Sequence, residues 1–224
     1  MGTVSKTRRY CRDSSWSWRN YLRDRPMTTV RTSTRVRTGK SPAPPEPMTV
    51  EEYARFDEPD DGYSSELFRG IVIREPLPGW SHGRSQSILA RRLGNWMEAF
   101  GQGEVFAETG FIISDRPATV RGPDVAVLLD RRFREGEPGN WIRGAPDVAV
   151  EVLSPSNRPG AMREKMRDYF DAGALRVWMV DPKTRTVTIH RANGSKTIFR
   201  DGDRLEDPEV LPGFVLEVRE LFEG

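Results

Sequence analysis

The chain has 224 residues, 36% hydrophobic and 30% charged, with a net charge of +2, which is enough for one domain or slightly more with a substantial core. Its single cysteine, Cys11, excludes an internal disulfide, and no apolar stretch approaches the ~20 residues of a membrane span. We therefore expect no membrane segment and a location in the reducing cytoplasm.

The charge is unevenly distributed along the chain. Residues 1–46 hold eleven Lys and Arg against three acids, whereas the remainder holds 24 bases and 30 acids. Residues 1–47 are rich in Arg, Ser and Thr and end in a proline-rich run, so we expect a disordered basic leader. This leader is either an arm that touches nucleic acid or, as we favour, an extension outside the native protein. We expect the folded domain at 48–224.

The predicted elements of the domain follow one another as helix, three strands, helix and strand. A capping-box pattern at Thr49 to Glu52 predicts a helix start, and a turn at Arg69-Gly70 divides a hairpin over 65–75. Periodicity predicts helices at 81–100 and 158–172, and strands at 104–113, 123–129, 147–153, 175–180, 186–191, 196–199 and 214–218. This order implies an α/β fold with a mixed sheet.

Two segments begin with Pro-Asp and continue as an apolar run, at 123–128 and 146–153. Such runs are typical of strands buried on both faces. The second run contains Glu151, which alternation places on the same face as Ala149 and Leu153. Because a carboxylate in an apolar strand is costly without a cationic partner, Glu151 marks a functional site or, alternatively, a structural salt bridge with an arginine.

A metal ion is the leading candidate for that cationic partner. Asp124 opens the first of the two strands, and neighbouring strands lie ~4.8 Å apart, so both carboxylates could reach one cation. Oxygen ligands favour Mg²⁺ or Mn²⁺ over zinc. Asp124 on its own is equally well explained as a turn aspartate.

Four further residues are assigned either a candidate role in the site or a structural explanation. Lys165 lies at the edge of the apolar stripe of its helix, where it can direct its ammonium at the sheet; otherwise it is an ordinary surface lysine. Glu66 is a candidate third acid or the partner of a cross-strand arginine. We interpret His82 as a core or first-turn histidine, and Asp147 as a strand-start turn residue.

These residues together resemble the PD-(D/E)XK nuclease superfamily, and more narrowly the Uma-two family of restriction-endonuclease-like proteins. The similarity covers 48–222 and rests on several stretches: Met48 to Tyr53, Glu66-Leu67 with Gly70, His82, Pro123-Asp124-Val125, Glu151 to Ser156, Lys165 with Tyr169, and Trp178 to Pro182. The stretch from Glu151 to Ser156 is the most specific part.

The resemblance implies an αβββαβ core with a mixed sheet flanked by helices and added β-strands. It implies a metal-dependent endonuclease that hydrolyses DNA phosphodiester bonds, with DNA as partner and a homodimer as a candidate assembly. Asp124 and Glu151, with the Val152 carbonyl and Glu66, would bind Mg²⁺ or Mn²⁺, and Lys165 would complete the catalytic residues. The superfamily places a lysine two residues after the glutamate, where this chain has Leu153, so Lys165 would replace it.

Two other functions remain open. The first is a catalytically inactive module that keeps the fold and binds nucleic acid or protein, which would suit the excess of acids in 47–224. The second is metal-assisted hydrolysis of another phosphate ester. For DNA binding, a basic patch is expected in the loop at 131–144, from Arg131, Arg132, Arg134 and Arg143.

Overall fold

The computed structural model describes residues 46–100, 102–131 and 137–223. Residues 1–45 of the expected basic leader (1–47) and two arginines of the expected patch, Arg132 and Arg134, lie outside this range. The helices are α1 (Val50–Tyr53), α2 (Trp80–Phe100) and α3 (Pro159–Asp171). The strands are β1 (Tyr63–Phe68), β2 (Ile71–Pro76), β3 (Glu104–Ala107), β4 (Phe111–Asp115), β5 (Ala118–Arg121), β6 (Val125–Leu128), β7 (Ile142–Arg143), β8 (Val148–Val152), β9 (Arg176–Asp181), β10 (Thr186–Arg191), β11 (Lys196–Arg200), β12 (Arg204–Asp207) and β13 (Leu211–Glu217).

A six-stranded sheet in the order β11-β10-β9-β8-β6-β3 forms the centre of the domain. Only β8 and β9 run parallel, and the other pairs are antiparallel. The parallel pair needs a crossover connection, which α3 supplies. The elements α2, β3, β6, β8, α3 and β9 therefore form an αβββαβ core with a mixed sheet, as the sequence predicted.

Strand β8 is buried on both of its faces. Val148, Val150 and Val152 pack with Leu89 and Leu93 of α2, whereas Ala149 packs with residues of α3 and β9 on the opposite face. The alternation deduced from the sequence is thus correct, and it places Glu151 on the α3 side of the sheet. A polar side chain in this position needs partners from α3 or from a neighbouring sheet.

The second sheet supplies those additional partners. It has five strands in the order β2-β1-β5-β4-β7, and its core joins Val50 and Tyr53 of α1 to Leu67, Ile112 and Val120. The capping box that predicts α1 is present, since Thr49 Oγ1 accepts from Glu52 N at 3.2 Å. The β5 strand ends at Arg121, immediately before the Gly122-Pro123-Asp124 turn, so this turn joins the second sheet to the central sheet.

Four strand predictions needed correction. The predicted strand at 104–113 is two strands, β3 and β4, because Glu108 has a φ of 51°, a left-handed conformation that interrupts the pairing. Strands β5, β7 and β12 were not predicted; each has four residues or fewer, and β7 lies in the segment predicted to be a loop. The remaining boundaries differ from the predictions by up to three residues. Within the described residues, no helix is both long and apolar enough to cross a membrane.

Candidate active site

A pocket of ≈ 90 Å³ lies where the two sheets and α3 meet. Its lining contains Glu66, Asp124, Glu151, Val152 and Lys165, which are all five of the site residues predicted from the sequence. They come from β1, the turn before β6, β8 and α3, so the fold brings together residues up to 99 positions apart in the chain. Their chemical roles remain predictions.

Glu151 is buried, with 5% of its surface exposed, and is held at both carboxylate oxygens. Lys165 Nζ donates to Oε2 at 2.8 Å, and the Tyr169 hydroxyl donates to Oε1 at 2.8 Å. Both donors lie on α3, four residues apart, which places them on one face of the helix. The cationic partner of Glu151 in the structure is therefore a lysine, and the expected alternative of an arginine is wrong.

Asp124 is oriented by the strand beside it and by α2. Its Oδ2 accepts from Val152 N at 2.6 Å, and its Oδ1 lies 3.2 Å from His82 Nε2. The N–H and C=O of one strand residue point to the same side of the strand. Since the Val152 N–H points to Asp124, the Val152 carbonyl faces β6, the strand that follows Asp124. The aspartate thus replaces the backbone partner that β6 would otherwise offer to Val152.

Glu66 satisfies both expectations at once, since it pairs with an arginine and also reaches the site. Arg121 Nη1 donates to its Oε2 at 3.0 Å, while Lys165 Nζ lies 2.9 Å from its Oε1. The Gly122 N–H donates to the same Oε1 at 2.8 Å. Lys165 consequently bridges Glu66 and Glu151, and its Nζ also donates to the Gly122 carbonyl at 3.1 Å.

The sequence did not identify two residues of this network. His82 is buried in the first turn of α2, in line with the prediction of a core or first-turn histidine, and its Nε2 also lies 3.2 Å from Asp124 Oδ1, a contact that the sequence did not predict. Arg121 was not identified, although an arginine that ends the short buried strand β5 is the same kind of signal as Glu151 in β8.

Asp147 lies at the opposite end of β8 from Glu151, where it accepts from Leu129 N at 2.8 Å, so it is a turn residue as expected. Arg143 is no free cation, because it pairs with Asp115 and Glu137.

The network shifts the pKa values of its members, and those of its two glutamates shift in opposite directions. Burial raises the pKa of Glu151 to about 8, although the Lys165 ammonium lowers it. Burial also raises the pKa of Glu66, but Lys165 and Arg121 outweigh it, so that the pKa falls below its usual value. For Lys165, burial lowers the pKa and the carboxylates of Glu151 and Glu66 more than offset that effect, so the pKa is raised. The lysine therefore stays protonated while Glu151 titrates close to neutral pH.

A pH dependence of stability follows for the metal-free protein. Since the pKa of Glu151 rises from 4.5 to about 8 on folding, its contribution is fully present below the unfolded pKa and is lost as the pH rises through the folded pKa. Relative to Glu151→Gln, which cannot titrate, the wild type should lose ~1.4 kcal/mol of unfolding free energy per pH unit between about pH 5 and 8. Urea unfolding of both proteins in EDTA measures this difference, and parallel pH profiles would show that Glu151 is ionised throughout.

The donor set fits a hard divalent cation. No group of three or more His, Cys, Asp or Glu side chains that could hold a metal occurs within the described ranges. The donors predicted from the sequence are the carboxylates of Asp124 and Glu151 and the Val152 carbonyl, all of which line the pocket. Mg²⁺ is usually bound through one or two carboxylates, with water and phosphate oxygens as its other ligands. Each carboxylate oxygen also has a second lone pair beyond the hydrogen bond described above.

The chain has the fold of a restriction-endonuclease-like α/β protein. Its αβββαβ core contains a central mixed sheet and a buried acidic pocket. The Uma2 family model, described as "Putative restriction endonuclease", matches residues 50–219. The chain belongs to this family, which confirms the resemblance found from the sequence.

A solved structure has the same fold. It is the crystal structure of "a putative nuclease belonging to DUF820" from Anabaena variabilis ATCC 29413, with a TM-score of 0.68 and 23% sequence identity. The match covers 79% of this chain and 98% of that chain, so it includes most of the domain. A comparison with curated proteins gave no match.

Proposed function

We propose that this protein is a divalent-metal-dependent endonuclease that hydrolyses DNA phosphodiester bonds. The observation that carries the proposal is the convergence of Asp124, Glu151 and Lys165 from three separate elements on one pocket. A buried carboxylate with a raised pKa beside a buried lysine is costly to fold and is typical of functional sites. The descriptions of the family and of the similar structure both refer to nucleases.

Asp124, Glu151 and the Val152 carbonyl would bind Mg²⁺ or Mn²⁺, with Glu66 beside them. When bound, such a cation neutralises charge on the scissile phosphate and lowers the pKa of a water ligand. The protein's own part is to hold these donors in position. Tyr169 fixes one oxygen of Glu151, and His82 with Val152 N fixes both oxygens of Asp124.

Lys165 carries the positive charge that the superfamily places two residues after the glutamate, where this chain has Leu153. Its Nζ lies 2.8 Å from Glu151 Oε2, so a lysine from α3 reaches the same region of the site. A protonated amine in this position stabilises the negative charge that develops on the phosphate in the transition state. Its contact with Glu66 keeps the ammonium anchored if Glu151 turns towards a cation.

The second candidate is a catalytically inactive module that binds nucleic acid or protein. One observation favours it: both oxygens of Glu151 already accept hydrogen bonds, from Lys165 and Tyr169. A lysine that permanently neutralises this glutamate would serve stability alone. The two candidates differ in whether a divalent cation produces strand cleavage.

Nicking of supercoiled plasmid by the full chain in Mg²⁺, Mn²⁺ or EDTA separates the two functions. We expect cleavage only with a divalent cation and a loss of cleavage in Asp124→Asn, which removes one charge with little change in shape. DNA binding without cleavage in any cation would favour the inactive module. Hydrolysis of a small phosphodiester such as bis(p-nitrophenyl) phosphate, with plasmid left intact, would indicate a different phosphate ester as substrate.

A further inference from the structure

A groove of ≈ 800 Å³ adjoins the catalytic pocket. Its walls include Met162, Met166 and Met179, three flexible and polarizable side chains that adapt to flat aromatic surfaces. Ser154, Asn157 and Met162 line both the groove and the catalytic pocket. A chain bound with one phosphate in the pocket could therefore continue directly into the groove.

An exposed tryptophan lies in the chain among residues that line the two cavities. Trp80 begins α2 and is 81% exposed, and Leu77 just before it is 66% exposed. Pro78 and His82, on either side of Trp80, line the catalytic pocket, while Ser81 lines the groove. An indole that is so exposed beside an active site is costly in water, and it gains most by stacking on a flat partner.

The groove and the pocket differ in charge. Arg163 and Lys183 line the groove, and both are exposed. Neither side chain pairs with an acid among the described residues. Asp181, the one acid among the described residues that line the groove, already accepts from Thr184 Oγ1 at 2.8 Å and from Lys183 N at 2.9 Å. A groove with a methionine wall and two available cations suits a strand that carries both bases and phosphates.

We propose that this groove binds an unpaired segment of the DNA substrate and that Trp80 stacks on a base beside the scissile phosphate. This inference rests on the proposed nuclease function and specifies its substrate class: DNA that is single-stranded or locally melted near the cleavage site. In an intact duplex both faces of each base are covered by its neighbours, so an indole can stack only where a base is unstacked. A protein partner would not need a groove that is continuous with the pocket for the phosphate.

The test measures binding of fluorescein-labelled oligonucleotides by full-length proteins that all carry Glu151→Gln, so that strands stay intact in Mg²⁺. We expect single strands to bind more tightly than the matching duplex. Adding Trp80→Ala should weaken single-strand binding about tenfold, the usual loss for one base-stacking aromatic residue, while Trp80→Phe restores most of the affinity. Because Trp80 is 81% exposed, its replacement leaves the core intact.

Oligonucleotides that lack the base at one position, tested position by position, show whether Trp80 stacks on a base or only alters the binding surface in general. Removing the base at one position should weaken binding to the Trp80 protein and leave binding to Trp80→Ala unchanged. Phe100→Ala, at the far end of α2 about 30 Å away, is the aromatic control and should bind as the parent does. Lys183→Gln should reduce the salt dependence of binding by about one phosphate contact, whereas Lys196→Gln, on β11, should not.

The outcomes distinguish this inference from the proposed function. Equal binding of single strands by the Trp80 and Trp80→Ala proteins, a preference for duplex, or no binding at all would overturn the groove assignment, even if the wild type cuts plasmid. Binding that depends on Trp80 and on one base, without cleavage by the wild type in any cation, would keep the groove and reject the nuclease.

Discussion

We expect cleavage to fall by at least about 10³-fold when Glu151 is changed to glutamine, because the proposed nuclease would lose a charged ligand of its cation at the centre of the reaction. Glutamine has nearly the same shape and keeps one carbonyl oxygen, so Tyr169 or Lys165 retains an acceptor. The carboxylate that is replaced is buried with a raised pKa. A raised pKa means that the fold favours a neutral side chain at this position, and glutamine is neutral. The variant should therefore be at least as stable as the wild type in EDTA at neutral pH. Loss of cleavage without loss of stability is the expected result.

Initial rates of plasmid nicking across a range of Mn²⁺ concentrations test this prediction. Glu164→Gln is the matched control, since Glu164 immediately precedes Lys165 on α3 but faces Arg69, 3.6 Å away, at the surface. It should retain the wild-type rate. If Glu151→Gln cuts as fast as Glu164→Gln, the centre of the reaction lies elsewhere. If a high Mn²⁺ concentration restores the rate, Glu151 contributes to metal binding more than to the chemical step.

The central fold was predictable because each element carries its own local signal. The apolar stripe of α2, the continuous apolar run of β8 and the capping box of α1 are patterns that do not depend on the rest of the chain. The glutamate inside the β8 run was informative for the same reason, since it contradicts its own surroundings. Asp124 and Lys165 then followed from their places at the strand start and at the edge of a helical stripe.

The partners of these residues could not be predicted, because they depend on which elements meet in space. Arg121 contacts Glu66 and Asp168, 55 and 47 positions away in the chain. His82 looked like a core residue because it lies on the buried face of α2, and only the packing of α2 beside the turn at Asp124 makes it a partner of that aspartate. Trp80 carries no periodic signal, and only the structure shows that its neighbours in the chain line two adjoining cavities.

We expect the unfolding free energy to fall by as much as ~3–5 kcal/mol when Arg121 is changed to leucine, the usual cost of removing one partner from a buried ion pair. The side chain is 4% exposed. Its guanidinium donates to Glu66 at 3.0 Å and, through Nη2, to Asp168 at 2.6 Å, and it lies over the Phe68 ring at 4.4 Å. These contacts join β1, β5 and α3, the elements that surround the catalytic pocket. A loss of this size is a large part of the ~5–15 kcal/mol by which a domain is stable.

Urea unfolding of three further variants, including Asp168→Leu alone, shows whether the cost arises from the charges left behind. In Arg121→Leu with Asp168→Leu, one of the two abandoned carboxylates is removed and Glu66 keeps Lys165, 2.9 Å away, so the double variant should be more stable than Arg121→Leu alone. Arg204→Ala removes an arginine that is 61% exposed and that pairs with Glu206 and Glu217, and it should cost less than ~1 kcal/mol. A double variant as unstable as the sum of its two single changes would mean that Arg121 acts through packing on Phe68, with little contribution from the two partly buried carboxylates.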